Sequence, residues 1–203
     1  MVGALNRLLA AHNRSPANFD DAAKRVSNGA RALVQHGFGT TLDAALEQEL
    51  IDEFLTLYAH HVCESSHLYD GMLDCLELCE SRGVPWGVIT NKPIALAKDV
   101  LAGLNLLERC KLLLGGDSLP VKKPDPVPLL HSAMLLAVAP SECLYVGDHI
   151  RDIQAARAAG MDSAAAAWGY LADAEDPADW NPDFIFTHPQ SLQGYLNEQL
   201  RRN

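Results

Sequence analysis

Apolar positions between residues 1 and about 67 recur every three to four residues and never alternate, which is the period of a helix. Leu5, Leu8, Leu9 and His12 fall on one face of a first helix, and residues 13–16 (NRSP) interrupt it. Further helices are expected over 20–26 and 30–36, the second ended by a Gly37-Phe38-Gly39 turn. Thr41 reads as the N-cap of a long helix with Leu42, Leu46, Leu50, Phe54, Leu57 and Tyr58 on its apolar side. The stretch 1–67 is therefore expected to be a helical subdomain.

From residue 68 the rhythm becomes helix and strand in turn. Helical patterns run over 70–82, 94–104, 127–136, 152–160 and 192–200. Between them lie short apolar runs bounded by turn residues: PWGVIT, KLLLGG, CLYV, SAAAAW and DFIFTH. Runs of this length fit buried parallel strands, and their alternation with helices implies a parallel sheet covered on both faces. The expected architecture is an α/β, doubly wound, Rossmann-like core over 68–203 behind the helical subdomain.

Composition narrows the class of partner. The chain has 203 residues, is 48% hydrophobic and carries a formal charge of −10. That size supports one domain or a domain plus a subdomain. The charge argues against a nucleic-acid or anionic-membrane surface, while leaving room for a small anion pocket. No apolar run is long enough to span a bilayer, and MVGALNRLLAAHNRS lacks the pattern of a signal peptide. The five cysteines form an odd set without a C-x-x-C pair, which suggests reduced thiols in a cytoplasmic protein. Cys75 and Cys79 share a helix face and read as buried packing rather than a zinc site. Oligomeric state is not legible.

Three strand ends carry candidate chemistry. The stretch CLYVGDHIRD turns at Gly147 and continues into Asp148 and Asp152, four residues apart, ahead of a helix. Loops at the carboxyl edge of such sheets bind ligands, and two carboxylates there suit Mg²⁺. The same pattern also describes an acidic N-cap with surface aspartates. Thr90 and Asn91 end the PWGVIT strand with a hydroxyl and an amide able to hold a phosphoryl oxygen, or else cap the helix after Pro93. Lys122 and Lys123 sit in a loop stiffened by Pro124 and Pro126. A lysine held there neutralises phosphate, whereas a free one belongs to a solvated basic loop.

VITNK, the KKPDP loop and VGDHIRD resemble, in order and spacing, the second, third and fourth motifs of the haloacid dehalogenase superfamily of phosphohydrolases. LYDGM, the WGY at 168–170 and SNGARALVQHGFG resemble its phosphoglycolate phosphatase branch. The likeness covers most of the chain. It implies that Thr90 and Asn91 bind the phosphoryl group, that Lys123 neutralises it, and that Asp148 is a direct Mg²⁺ ligand. Asp152 would be a second ligand or would hold one of the metal's waters. Residues 1–67 would form a helical cap, with Gly29 and Arg31 meeting the substrate's non-phosphate end; an ordinary helix start with a solvated arginine is the plainer alternative.

The sequence also departs from that family. Its members attack phosphate with the first aspartate of a D-x-D-G-T motif on a first strand and use the second as general acid and base. No such motif occurs here. Met1 to Leu5 resemble the segment that follows it, and Asp20, Asp21 and Asp43 lie in helical context. The expectation is that the protein starts upstream of Met1, that the first strand belongs between the Val88 and Cys143 strands, and that the chain as written is inactive. In its complete form it would hydrolyse a small phosphorylated metabolite, phosphoglycolate or a sugar phosphate. The alternative is a catalytically dead chain that binds a phosphate ligand or a protein partner.

Overall fold

A computed structural model describes residues 1–171 and 175–201. The chain divides into two compact units, Met1–Glu64 and a second that begins at Ser65, runs to Leu171 and continues from Glu175.

The first unit is helical: α1 (Val2–Ala11), α2 (Phe19–Ala23), α3 (Gly29–Phe38) and α4 (Ala44–His60). Leu5, Leu8 and Leu9 of α1, Leu33 and Val34 of α3, and Leu50 and Phe54 of α4 form its buried centre. The helix expected over 20–26 stops at Ala23, and two further details differ from the sequence-based expectation. Gly37 is not in a turn but inside α3, where an added Cβ would press on the Leu9 and Leu5 methyl carbons at 3.0 and 3.1 Å; the stop falls at Gly39, whose φ is 102°. The cap of α4 is Asp43 rather than Thr41. Its carboxylate accepts from Ala45 N at 2.9 Å and Leu46 N at 3.1 Å, adding favourable charge at the helix start.

The second unit is α/β. Strands β1 (Gly87–Ile89), β2 (Leu112–Leu114), β3 (Leu144–Gly147), β4 (Asp162–Ala166) and β5 (Phe184–Phe186) alternate with α5 (Met72–Ser81), α6 (Ile94–Gly103), α7 (Val127–Leu135), α8 (Ile150–Ala159) and α9 (Pro189–Gln199). All pairings are parallel, but the ladders form two sheets, β1-β2 and β3-β4-β5. In register, Val88 faces Leu113, Tyr145 faces Ser163 and Ala165 faces Ile185.

Side-chain alternation buries both faces of the three-stranded sheet. Leu144, Val146 and Ala164 pack with Cys75 of α5 and Leu192 of α9. Cys143 and Tyr145 turn the other way, onto Leu129 and Ala133 of α7 and Ala155, Ala156 and Ala159 of α8. Ala165 meets Ile153 and Trp180. The helical layers on either side of β4 can approach closely because its buried positions, Ser163 and Ala164 to Ala166, carry only small side chains.

Candidate active site

The carboxyl ends of β1 and β3 and the loop before α7 supply the candidate residues. Beyond β1, Thr90 N closes the ladder onto Leu114 O at 2.9 Å, and Thr90 Oγ1 accepts from Lys92 N at 3.1 Å in a tight turn. The Asn91 amide donates to the Lys123 backbone oxygen at 2.9 Å, which ties the first loop to the second. The loop after β2 packs behind it: Gly116 N donates to Lys92 O at 2.8 Å, and Asp117 caps α6 through Ile94 N at 2.8 Å. Burial pushes Lys92 down to about 8.

Lys123 is the centre of the arrangement. Its ammonium lies 2.7 Å from Asp152 Oδ1, with the two side chains 10% and 9% exposed. It also donates to Tyr145 Oη at 2.7 Å and to Ile89 O at 2.8 Å. Burial works against the lysine's charge, but Tyr145 and Asp152 outweigh it and hold the pKa above the ordinary value. Burial pushes the Tyr145 phenol up to about 12, with Lys123 pulling against it.

Asp152 occupies the first turn of α8. Its Oδ2 accepts from His149 N at 3.2 Å while His149 Nδ1 accepts from Arg151 N at 3.1 Å, a reciprocal cap. Burial, then Arg151, lowers the His149 pKa, which suits a neutral ring acting as acceptor. Gly147 must be glycine at the end of β3, because a Cβ there would run into the Asp152 side chain; Gly169 stands in the same relation to Asp148. Tyr170 N approaches Asp148 Oδ2 at 3.4 Å, a long bond. Burial first, and the Asp152 carboxylate second, raise the Asp148 pKa. Tyr69 and Tyr170 are hydrogen-bonded side chains beside it, and burial pushes Tyr69 up to about 12.

Two carboxylates sharing one edge match the oxygen chemistry of Mg²⁺. Among the described residues no group of three or more His, Cys, Asp or Glu side chains is set to hold a metal. Mg²⁺ does not need one, since it is commonly held by one or two carboxylates with waters and phosphate completing its shell. Both Asp152 oxygens already have close protein donors, whereas the bond from Tyr170 N to Asp148 Oδ2 is long. The donor set fits Asp148 as a direct ligand and Asp152 at one remove.

Of the residues singled out in the sequence, the structure links Asn91, Lys123 and Asp152 by direct bonds. Asp148 lies close enough to Asp152 and Lys123 for their charges to act on it, and Thr90 follows the carbonyl that Lys123 holds. Gly29 and Arg31 belong to the helical unit. Gly29 opens α3 with φ 84°, and Arg31, 65% exposed, rests its Nε 3.3 Å from Glu47 Oε2, which also takes the Gln35 amide through Oε1. Tyr145 and Asp117 were not singled out. A tyrosine inside CLYV reads only as apolar strand, and Asp117 caps a helix that begins 23 residues before it in the chain. A cleft of about 790 Å³ near Trp86, Arg109 and Lys111 opens at the amino ends of β1 and β2, away from Lys123.

Fold and site together define a haloacid dehalogenase-like hydrolase. The sequence profile of that family matches residues 1–166, and the chain belongs to it. It is 41% identical over 192 residues to the phosphoglycolate phosphatase of Xylella fastidiosa, an alignment covering 95% of this chain and 83% of the relative. It is 39% identical over 199 residues to the N-acetylmuramic acid 6-phosphate phosphatase of Pseudomonas aeruginosa, covering 98% and 88%. The crystal structure of a predicted phosphoglycolate phosphatase from Haemophilus somnus superposes with a TM-score of 0.84 at 26% identity, covering 96% of this chain and 89% of the other. Among the described residues no helix is long and apolar enough to cross a membrane.

Proposed function

We propose that these residues form the phosphate- and Mg²⁺-binding shell of a cytoplasmic phosphomonoesterase acting on a small phosphorylated metabolite. The observation that carries this reading is the Lys123 ammonium, nearly buried against Asp152 at the carboxyl edge of a parallel α/β unit. A fixed cation in a low-dielectric pocket is suited to phosphoryl charge. Lys123 neutralises the phosphoryl oxygens, and Thr90 and Asn91 orient them. Asp148 holds Mg²⁺ directly and Asp152 holds it through water or as a second ligand. Bound there, Mg²⁺ supplies charge neutralisation for the same oxygens.

Gly29 and Arg31 are assigned to recognition of the non-phosphate part of the substrate, and residues 1–67 to a cap. The two curated relatives act, by name, on phosphoglycolate and on N-acetylmuramic acid 6-phosphate. A phosphorylated carboxylic acid or an acidic sugar phosphate is therefore the substrate class; nucleic acid and membranes are not partners.

The aspartates of the helical unit do not serve as nucleophile in this reading: Asp20 and Asp21 lie within α2, and Asp43 caps α4. The attacking aspartate is instead delivered between β1 and β3 by a strand outside residues 1–203, as covalent phosphoryl transfer requires. The test uses the 203-residue chain with Mg²⁺. Turnover of p-nitrophenyl phosphate should be absent, while orthophosphate binds and Lys123→Met weakens that binding at least tenfold. Mg²⁺-dependent turnover lost on Asp148→Ala would overturn the nucleophile assignment. Orthophosphate affinity indifferent to Lys123→Met would overturn the phosphate site itself.

A further inference from the structure

A helix usually takes its first side-chain cap from the residue just before it, but α6 follows Pro93, whose ring carries no acceptor. The acceptor comes instead from the loop after β2, where Asp117 Oδ1 takes the Ile94 N–H at 2.8 Å. Other contacts join the same two loops. Gly116 N donates to Lys92 O at 2.8 Å. A Cβ at Gly116 would run into Asn91 O, and one at Gly115 would run into Ile94 N. Ser118 closes the second loop on itself: its N donates to Gly115 O at 3.1 Å, and its Oγ accepts from Gly115 N at 2.9 Å. Asp117 is therefore presented by a short, internally bonded turn.

The consequence falls on Thr90. Lys92 N donates to Thr90 Oγ1 at 3.1 Å, which leaves the hydroxyl's own proton for a phosphoryl oxygen. That orientation depends on where Lys92 N sits, and residues 115–117 hold the chain at Lys92 and again at Ile94. On the β3 side the Asn91 amide is tied to Lys123 O. The clamp itself lies on the β2 side of β1, where Thr90 N pairs with Leu114 O, so a strand entering between β1 and β3 leaves it in place.

We propose that Asp117 is a positioning residue for the phosphate-binding turn: by capping α6 from the loop after β2, it fixes Lys92 N and keeps the Thr90 hydroxyl directed at the phosphoryl group. The proposal rests on the reading of Thr90 and Lys123 as phosphate-binding residues.

Orthophosphate dissociation constants of the 203-residue chain test it. Asp117→Ala should weaken binding about fivefold to tenfold, because loss of a cap lets the turn leave its binding geometry and affinity falls with the fraction still competent. Asp117→Asn keeps an oxygen acceptor and should stay within about twofold of the native chain. In a Thr90→Val background, Asp117→Ala should cost less than about a further twofold. Asp43→Ala, which removes a comparable cap from α4, should leave the affinity unchanged. If Asp117→Ala does not fold, Ser118→Ala, which loosens the turn that presents Asp117, takes its place in the same comparison. Equal losses with and without the Thr90 hydroxyl, or an equal loss in Asp43→Ala, would show that Asp117 acts on the fold alone. If Thr90→Val and Lys123→Met weaken binding but Asp117→Ala does not, this proposal fails and the phosphate site stands. If neither Thr90→Val nor Lys123→Met weakens it, the underlying phosphate reading fails and takes the role of Asp117 with it.

Discussion

Burial and the neighbouring Asp152 both raise the Asp148 pKa, so the fold favours the protonated acid. An acid raised in this way lends its full stabilisation at pH values below its unfolded pKa and loses it as pH rises through the folded one. At neutral pH the charged Asp148 is thus a net strain on the structure. Asp148→Asn should raise the melting temperature at pH 7 by about 2–4 °C, the range that ~1 kcal/mol produces at this chain length. The gain should shrink on acidification, as the native carboxyl takes up its proton. Adding Mg²⁺ should raise the melting temperature of the native chain and leave Asp148→Asn unmoved, since a ligand stabilises only the state that binds it. Calorimetry at two pH values, with and without Mg²⁺, reads both effects. A native chain stabilised equally by Mg²⁺ with and without the Asp148 carboxylate would remove that residue from the metal site.

Helix caps separate two readings of the chain cleanly. Asp43, and not Thr41, accepts the first amide bonds of α4. Asp43→Ala should cost about 1 kcal/mol of stability and Thr41→Ala less than half of that, measured by denaturant unfolding. Equal losses would place the helix start two residues earlier. The elements themselves were legible, because each of the five strands is a short apolar run closed by turn residues and each helix in the second unit shows its own period. Their ends were less so, since a cap is chosen by local competition among Thr41, Asp43 and their neighbours. The positions of Lys123, Asp148 and Asp152 at one edge followed from loops that succeed strands. The bonds that Tyr145 makes did not, because they depend on Ile89, 56 residues away in sequence, and on a hydroxyl that an apolar pattern ignores.

The β1-β2 and β3-β4-β5 sheets meet through side chains rather than ladder bonds: Lys123 and Tyr145 bridge to the outward carbonyl of Ile89. A parallel strand seated there would join the two sheets into one. Extending the chain at its N-terminus by a strand ending in D-x-D-G-T should therefore raise the melting temperature by several degrees, at about 1 kcal/mol net per hydrogen bond formed. Changing the first aspartate of that strand to asparagine should abolish Mg²⁺-dependent phosphate release and keep the thermal gain. Melting curves and phosphate release for the three chains check both halves. An extension that leaves the melting temperature unchanged would mean that no strand enters between β1 and β3.

Gly147 and Gly169 each fill the space beside one site aspartate, and neither has room for a methyl group there. A mutational survey scored on activity alone would rank these two positions with the acids they touch, although they carry no functional group. The smallest possible change at either one displaces a carboxylate without altering its chemistry. Damage of that kind would look like a lost ligand in an assay and like an ordinary alanine in a gene.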